Sequence, residues 1–194
     1  MFNPIPVTLS TDKITLAPLS PDHLDDFYQA GAFPQLWTWS LPDQCTSKAQ
    51  SAAWLTYSPA MMDRGEHIAF AIFDNESGQL VGSTRYCAIS TDDKNLEIGF
   101  TFITPQYQRS YVNTHAKYCL LQHAFEELGA IRVQFKTHEK NTRSRHAISR
   151  LGATFEGILR HHRILSDGSF RNSAIFSIIN TEWPTVKQQL KQKL

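Results

Sequence analysis

Residues 96–129 decide the fold and read LEIGFTFITPQYQRSYVNTHAKYCLLQHAFEELG. Four large apolar residues at the start of this stretch are expected on one face of a strand: Leu96, Ile98, Phe100 and Phe102. Four more recur at helical spacing before Gly129: Leu121, Ala124, Phe125 and Leu128. The stretch therefore predicts a strand, a connection and a helix. The start of such a helix suits an anion such as pyrophosphate, because its first N–H groups are unpaired.

Strands and helices are also predicted on either side of this stretch. Apolar runs indicate strands near residues 14–19, 67–73, 80–89, 131–136, 154–163 and 170–179. Helices are expected near residues 21–30, 47–64 and 141–151, and after Thr181. Ser47, followed by Gln50 in a capping-box pattern, and Asn141 are the predicted caps of the second and third of these helices. Turns at 74–78 and at Ser166-Asp167-Gly168 would close two antiparallel hairpins. No repeat or linker interrupts the chain, so we expect one α/β domain over residues 1–194 with a mixed sheet.

Composition excludes several classes of protein. The 194 residues are 41% hydrophobic and 19% charged, with 9 Gly and 9 Pro, which argues against disordered, collagen-like and low-complexity chains. No apolar run approaches the roughly 20 residues of a membrane-spanning helix, and the start resembles no secretory signal. Cys45, Cys87 and Cys119 are odd in number and widely spaced. These features predict a cytoplasmic protein with no membrane partner and no disulfide framework.

Charge is unevenly distributed along the chain. Residues 1–130 hold 7 Lys and Arg against 14 Asp and Glu, whereas residues 131–171 hold 9 against 3. This pattern indicates either two partners of opposite sign or simply two solvated faces. A nucleic-acid partner is disfavoured, because the basic segment interleaves its charges with only three aromatic residues: Phe135, Phe155 and Phe170.

Three motifs follow one another in a fixed order. They are P-x-Y-Q-x-x-Y-x-N at 105–113, N-x-x-S at 141–144 and L-G-A-x-x-E-G at 151–157. Together with the order of elements over about residues 13–180, they resemble the GNAT N-acetyltransferase superfamily, and more narrowly its branch of ribosomal-protein N-acetyltransferases. The resemblance implies a single-domain fold with a mixed, mostly antiparallel central sheet flanked by helices.

The same resemblance implies an activity. Acetyl-CoA would be the co-substrate, with no metal, and a primary amine the acceptor, either a protein N-terminus or a small cationic amine. The amine would attack the thioester directly, without a covalent enzyme intermediate. The basic segment 131–171 would hold the CoA, and the acidic residues 1–130 would favour a cationic acceptor. Relatives of this kind often form dimers, so a homodimer is an expectation as well. The alternative hypothesis is a non-catalytic protein that binds CoA or another anion.

The resemblance also implies cofactor-binding residues. Backbone groups of Phe102, Ile103 and Thr104 would pair with the pantetheine arm. The pyrophosphate would be bound by the turn that begins at Gln108, through backbone N–H groups of Arg109, Ser110, Tyr111, Val112 and Asn113. In the superfamily, small residues occupy the positions of Tyr111 and Asn113, and this chain departs from that pattern. The structural alternative for the turn is a plain connection between a strand and a helix.

The N-x-x-S motif carries two further roles by resemblance. Asn141 would contact the pantetheine arm, and Arg143, with Lys140 and Arg145, is near enough in sequence to bind phosphates. Ser144 would donate a proton to the departing thiolate. The structural alternatives are a solvated helix face for the basic residues and, for Ser144, a core serine bonded to its own helix.

Amine attack requires a group that takes up a proton, and Glu97 is the best candidate. Glu97 shares the predicted strand face with Gly99, where the missing side chain would let a ligand approach. A backbone N–H near Ile103 would stabilise the tetrahedral intermediate. The alternative for Glu97 is an ion pair with Arg85 or Arg132.

The resemblance also implies an acceptor site near Trp37, Trp39 and His162. Trp54 belongs to the same region, and His161 and Asp167 are, like His162, weaker candidates for proton handling. For the aromatic residues, packing is the structural alternative. His115, Cys119 and His123 line one helix stripe like metal ligands. They span about 12 Å along the helix axis, too far for one ion, so no metal site is expected.

Overall fold

The computed structural model describes residues 2–39, 44–165 and 167–194. Ser166, in the second predicted turn, lies outside the described residues. The strands are β1 (Leu9–Ser10), β2 (Ile14–Pro18), β3 (Ile68–Asp74), β4 (Leu80–Ser90), β5 (Asn95–Ile103), β6 (Arg132–His138), β7 (Thr154–Ile164) and β8 (Phe170–Ile179). The helices are α1 (Leu24–Gly31), α2 (Lys48–Asp63), α3 (Val112–Gln122), α4 (Thr142–Arg150) and α5 (Trp183–Lys191).

The eight strands form one sheet in the order β1-β2-β3-β4-β5-β6-β8-β7. Neighbours pair antiparallel except β5 and β6, which run parallel. The parallel step is possible because α3 carries the chain back between these two strands. The predicted α/β fold with a mixed, mostly antiparallel sheet is confirmed.

Apolar side chains form one core on each side of the sheet. Helices α3 and α5 supply Leu120, Leu121 and Trp183 to the larger core. Helices α1 and α2 supply Phe27 and Leu55 to the smaller one. Among the described residues, no helix is both long and apolar enough to cross a bilayer.

Two predicted helix starts carry the expected caps. Ser47 Oγ accepts a hydrogen bond from Gln50 N at 3.1 Å before α2. Asn141 Oδ1 accepts one from Ser144 N at 3.0 Å before α4. Each side chain pairs a backbone donor that the helix itself leaves free, so local sequence fixes where these helices begin.

A bulge in β5 corrects the predicted side-chain pattern. Phe100 has a φ of 50°, and the register with β4 shifts between Ser83 and Arg85. The extra residue puts Phe100 and Phe102 in the smaller core, while Leu96 and Ile98 face the larger one. The expectation of one shared apolar face was therefore wrong, because a bulge reverses the alternation beyond it.

Candidate active site

The parallel strands β5 and β6 separate along their length. They pair only at Asn95–Arg132, Leu96–Val133 and Glu97–Gln134. From Gly99 to Ile103, the described residues provide no strand partner on this side of β5. Apart from the Ile103 carbonyl, which accepts from Gln108 Nε2, backbone groups that point to this edge can bind an extended ligand. The residues predicted to bind pantetheine, Phe102 to Thr104, lie at the far end of this edge.

The start of α3 lies next to the end of that edge. Within the described part of the chain, the backbone N–H groups of Arg109, Ser110, Tyr111 and Asn113 have no hydrogen-bond acceptor. Val112 N is 3.3 Å from Ser110 Oγ, and Arg109 has a positive φ of 62°. Because these donors combine with the positive end of the helix dipole, the turn can bind a pyrophosphate.

Tyr111 does not fill the turn, although it replaces a small residue. Its hydroxyl donates to Asp74 Oδ1 at 2.6 Å, so the side chain points back to the turn after β3. Burial would raise the pKa of Asp74, but hydrogen bonds from Tyr111 and from Ser77 outweigh it and lower that pKa. The same hydrogen bond raises the pKa of Tyr111 to about 12. The departure from the small-residue pattern therefore anchors the turn.

Gln108 connects the turn to two neighbouring elements. Its amide donates to Ile103 O at 2.9 Å, and its carbonyl accepts from Arg143 at 3.0 Å. Arg143 therefore lies beside the predicted pyrophosphate turn, whereas Arg145 donates to Glu139 O and Lys140 is exposed. Thr104 Oγ1 donates to Ala30 O at 2.9 Å, which ties the end of β5 to α1.

Ser144 has a free hydroxyl at the start of α4. Its side chain is half-buried, and its Oγ makes no hydrogen bond within the described residues. The alternative of a serine bonded to its own helix is thus not what the structure shows. The oxygen of Asn141 is engaged in the cap, which leaves its amide N–H groups available for a ligand.

Glu97 forms a buried ion pair on the opposite side of the sheet from α3. Its Oε2 accepts from Lys136 Nζ at 2.8 Å and from Gln134 Nε2 at 3.1 Å, and Glu97 is only 4% exposed. The partner is Lys136, neither Arg85 nor Arg132, which instead binds Glu156. A Cβ on Gly99 would lie 2.9 Å from Glu97 Oε1, so the carboxylate itself occupies the space above Gly99.

The predicted acceptor residues divide into two groups. Trp37 is buried, donates Nε1 to Gly31 O at 2.9 Å and packs on Phe102. Trp54 is buried against Arg85. Trp39 instead packs against His138 with the two rings tilted by 56°, and its backbone oxygen accepts from Arg171.

His162 faces the same side of the sheet. It hydrogen-bonds Ser173 Oγ at 3.0 Å through Nδ1. Burial and then nearby Lys136, Arg163 and Arg171 lower the pKa of His162, which keeps its ring neutral near pH 7. His161 stacks on Phe170 and Asp167 caps Ser169 in the hairpin turn, so both are occupied elsewhere.

Sequence reasoning missed Lys117, which is buried in α3. Its amine donates to Thr101 Oγ1 at 2.7 Å and to Thr84 Oγ1 at 3.1 Å. Burial lowers its pKa to about 7. The signal in the sequence is weak, since only the apolar neighbours of Lys117 in α3 suggest that it is buried.

The helix stripe dismissed as a metal site makes ordinary contacts. His115 pairs with Thr11 Oγ1 at 2.8 Å, and His123 is 3.2 Å from the Tyr86 hydroxyl. Burial raises the pKa of Cys119 to about 11, so its thiol stays protonated. Within residues 2–39, 44–165 and 167–194, no three His, Cys, Asp or Glu side chains are grouped as metal ligands would be.

The separated strands β5 and β6 and the N-terminus of α3 are typical of a protein that binds a long ligand with an anionic end. A family model described as the acetyltransferase (GNAT) domain matches residues 13–154. The chain therefore belongs to the GNAT acetyltransferase family and is an acyltransferase, as its motifs predicted. Enzymes of this family use acetyl-CoA. The sequence matches no curated protein.

Solved structures share this fold over nearly the whole chain. A GCN5-related N-acetyltransferase from Brucella melitensis is 28% identical, with a TM-score of 0.91 over 98% of this chain and 86% of that one. Mycobacterium smegmatis RimJ, solved with CoA disulfide, is 18% identical, with a TM-score of 0.83 over 97% of this chain and 95% of that one. RimL, a ribosomal L7/L12 acetyltransferase solved with CoA, is 18% identical, with a TM-score of 0.78 over 89% and 98%.

Proposed function

We propose that this enzyme transfers the acetyl group of acetyl-CoA to a primary amine by direct attack of the amine on the thioester. The observation that carries the proposal is the free edge of β5, which leads into four unpaired N–H groups at the start of α3. An extended thioester along this edge would have its diphosphate at the helix and its acetyl group near Glu97. The pantetheine contacts of Phe102, Ile103 and Thr104 and the diphosphate contacts of the turn belong to this proposal.

The reaction needs two proton transfers, and the chain offers a group for each. The amine nitrogen bonds to the thioester carbon, the C–S bond breaks, and CoA leaves as a thiolate. Glu97 takes the proton that the amine loses, directly or through water. Ser144 donates a proton to the thiolate, since its hydroxyl is free in this structure. A backbone N–H of the free β5 edge close to the acetyl group would stabilise the oxyanion, since Ile103, the expected donor, lies at the diphosphate end of the edge.

A matched pair of serine variants tests the role of Ser144. Ser144→Ala should lower kcat about 100-fold with the KM for acetyl-CoA unchanged, because only the leaving group loses its proton donor. Ser149→Ala is the control, since Ser149 is exposed on the same helix. The measurement is release of free CoA thiol with a panel of primary amines. Equal rates for the two variants would remove Ser144 from the mechanism.

Glu97→Gln tests the proton acceptor and also the non-catalytic alternative. The variant keeps the shape of the side chain and should lower kcat while acetyl-CoA still raises the melting temperature. If wild-type protein binds acetyl-CoA, as shown by a thermal shift that ATP does not give, but acetylates no amine, the non-catalytic alternative is correct. The homodimer and the cytoplasmic location stay predictions.

A further inference from the structure

We propose that the acceptor amine belongs to a molecule with a carboxylate, and that Arg163 and Arg171 bind this carboxylate beside Glu97. This inference rests on the proposed function, since it names the substrate class of the same site. It replaces the expectation of a cationic acceptor, which was based on the acidic composition of residues 1–130. The basic segment was expected to serve CoA, but several of its side chains lie on the other face.

The two arginines stand directly opposite each other across strands β7 and β8. Arg163 and Arg171 are Cα partners in the antiparallel register. Like charges at such a position destabilise a hairpin unless something neutralises them. Neither guanidinium lies within ion-pair distance of a carboxylate in the described residues. The pair therefore costs folding stability, and a bound anion would offset that cost.

Several contacts place this pair on the face that carries Glu97. Arg171 donates to Trp39 O at 3.2 Å, and its buried Nε has no acceptor among the described residues. Ser173, two residues further along β8, binds His162. The pKa of Arg171 is lowered, first by burial and then by Arg163, while the charge of Glu97 opposes the shift. Glu97 and both arginines thus share one electrostatic environment.

The carboxylates near the pair already have partners. Glu97 accepts from Lys136 and Gln134, and Glu139 accepts from the amide of Asn172 at 3.0 Å. The pair therefore carries two guanidinium charges without a counter-ion in the described residues. Arg85 is a third such group on this face, but it is buried against Ser58 and Trp54. Guanidinium groups bind carboxylates through two parallel hydrogen bonds, which would fix the orientation of the acceptor. A primary amine in the same molecule could then point towards the Glu97 carboxylate.

A bulge in β7 redirects side chains next to the arginine pair. Residues Arg160 to His162 lie opposite Asn172 alone, and the amide oxygen of Asn172 accepts from His161 N at 2.7 Å. Bulges redirect side chains next to functional sites. Here the bulge turns His162 towards Ser173 and brings Arg163 back into register with Arg171. The bulge thus accounts for the position of Arg163 opposite Arg171.

The test compares acceptors that differ only by one carboxylate. In the first arm, free amino acids are compared with their amides, so that the α-carboxylate is the variable. In the second arm, C-terminally amidated tripeptides with Asp or Glu at the second position are compared with the Asn or Gln versions. We expect kcat/KM to be about 30-fold higher for the acidic member of at least one arm. The arm that responds identifies the source of the carboxylate.

Variants of the arginines connect that preference to this face. Arg171→Gln and Arg163→Gln should each remove most of the preference through KM, with kcat for the amidated acceptors kept. Lys191→Gln is the control for net charge, because Lys191 is exposed on α5, which packs on the other side of the sheet. Arg163 is exposed, so its variant should fold even if Arg171→Gln does not.

Each outcome decides the proposal. An acidic preference that Arg163→Gln removes and Lys191→Gln keeps supports it. Turnover of neutral or cationic amines, with no gain from a carboxylate, overturns it and leaves the proposed function standing. An acidic preference that both arginine variants keep assigns the carboxylate to another part of the protein and also overturns it. Failure to acetylate any amine overturns the proposed function together with this inference.

Discussion

Two lysines on opposite sides of β5 have hydrogen-bond partners of different kinds. Lys136 faces the side of Glu97 and lies 2.8 Å from its carboxylate, with 21% of its side chain exposed. Lys117 faces the side of α3, is 6% exposed, and within the described residues its amine hydrogen-bonds only the hydroxyl groups of Thr84 and Thr101. One amine has a carboxylate, and the other has two neutral acceptors.

The difference shows where the fold tolerates charge. A neutral amine has two N–H donors, and Lys117 makes two hydrogen bonds as a donor. Burial lowers its pKa to about 7, so the amine becomes uncharged as the pH rises above neutral. An ion pair beside water, by contrast, lets a carboxylate stay buried and charged. The candidate acceptor face is therefore the side of the sheet that carries charged side chains. On the α3 side, the buried amine of Lys117 has neutral partners.

Among the variants that test this comparison, Lys117→Arg should lose the most stability. Arginine keeps its charge in proteins, so the variant would bury a cation without a carboxylate partner and lose about 4 kcal/mol of stability. Urea denaturation measures the effect. Lys117→Met is the matched control, since the hydroxyl groups of Thr84 and Thr101 still bond each other at 2.7 Å, and it should stay within about 1 kcal/mol of wild type. Equal losses in both variants would show that size, and not charge, limits this position.

Lys136→Met should have the next largest effect. It leaves the Glu97 carboxylate buried with only Gln134 as a side-chain donor, and about 3 kcal/mol of stability should be lost. The double variant with Glu97→Gln should recover most of this loss, because it removes the charge that lacks a partner. A single variant as stable as wild type in urea would mean that water already solvates Glu97.

The caps, the hairpins and the order of elements could be predicted because they depend on local sequence. Ser47 and Asn141 cap helices through contacts three residues away. The bulge at Phe100 could not be predicted, since its cause is the register against β4 and no residue at that point demands a positive φ. Period-two alternation therefore misplaced every side chain beyond it.

The sequence allowed candidate site residues to be identified, but it did not allow the residues that they contact to be predicted. Glu97 was predicted to be the proton acceptor or else to pair with Arg85 or Arg132. Its partner is Lys136, which β6 brings alongside only through the parallel pairing. Arg163 and Arg171 looked like part of a basic segment for CoA, and only the register of β7 with β8 places them together. Such contacts join residues far apart in sequence, and their identity follows from tertiary structure alone.

Tyr111→Phe extends the comparison to Asp74, a second buried carboxylate, and should have a moderate effect on stability. Asp74 is a buried carboxylate bound by hydroxyl and backbone donors without a lysine, and the variant removes its 2.6 Å bond from Tyr111. We expect a loss of about 2 kcal/mol in urea denaturation. Tyr107→Phe is the control, because that hydroxyl contacts only Ser77. Similar losses of stability in the two variants would show that the hydrogen bond to Asp74 stabilises the fold no more than the bond to Ser77 does.

The smallest predicted effect, when it is counted per pH unit, is the pH dependence that Lys117 imparts to stability. The unfolded chain keeps the lysine proton up to a pKa of about 10.5, whereas the folded chain loses it near 7. Between these values the unfolded state binds more protons, so the free energy of unfolding should rise with pH, by at most about 1.4 kcal/mol per pH unit. Comparing wild type with Lys117→Met in urea between about pH 7 and about pH 9 cancels the other titrating groups. If the two proteins change in parallel, Lys117 is charged in the folded state, and the contrast with Lys136 would then be one of exposure alone.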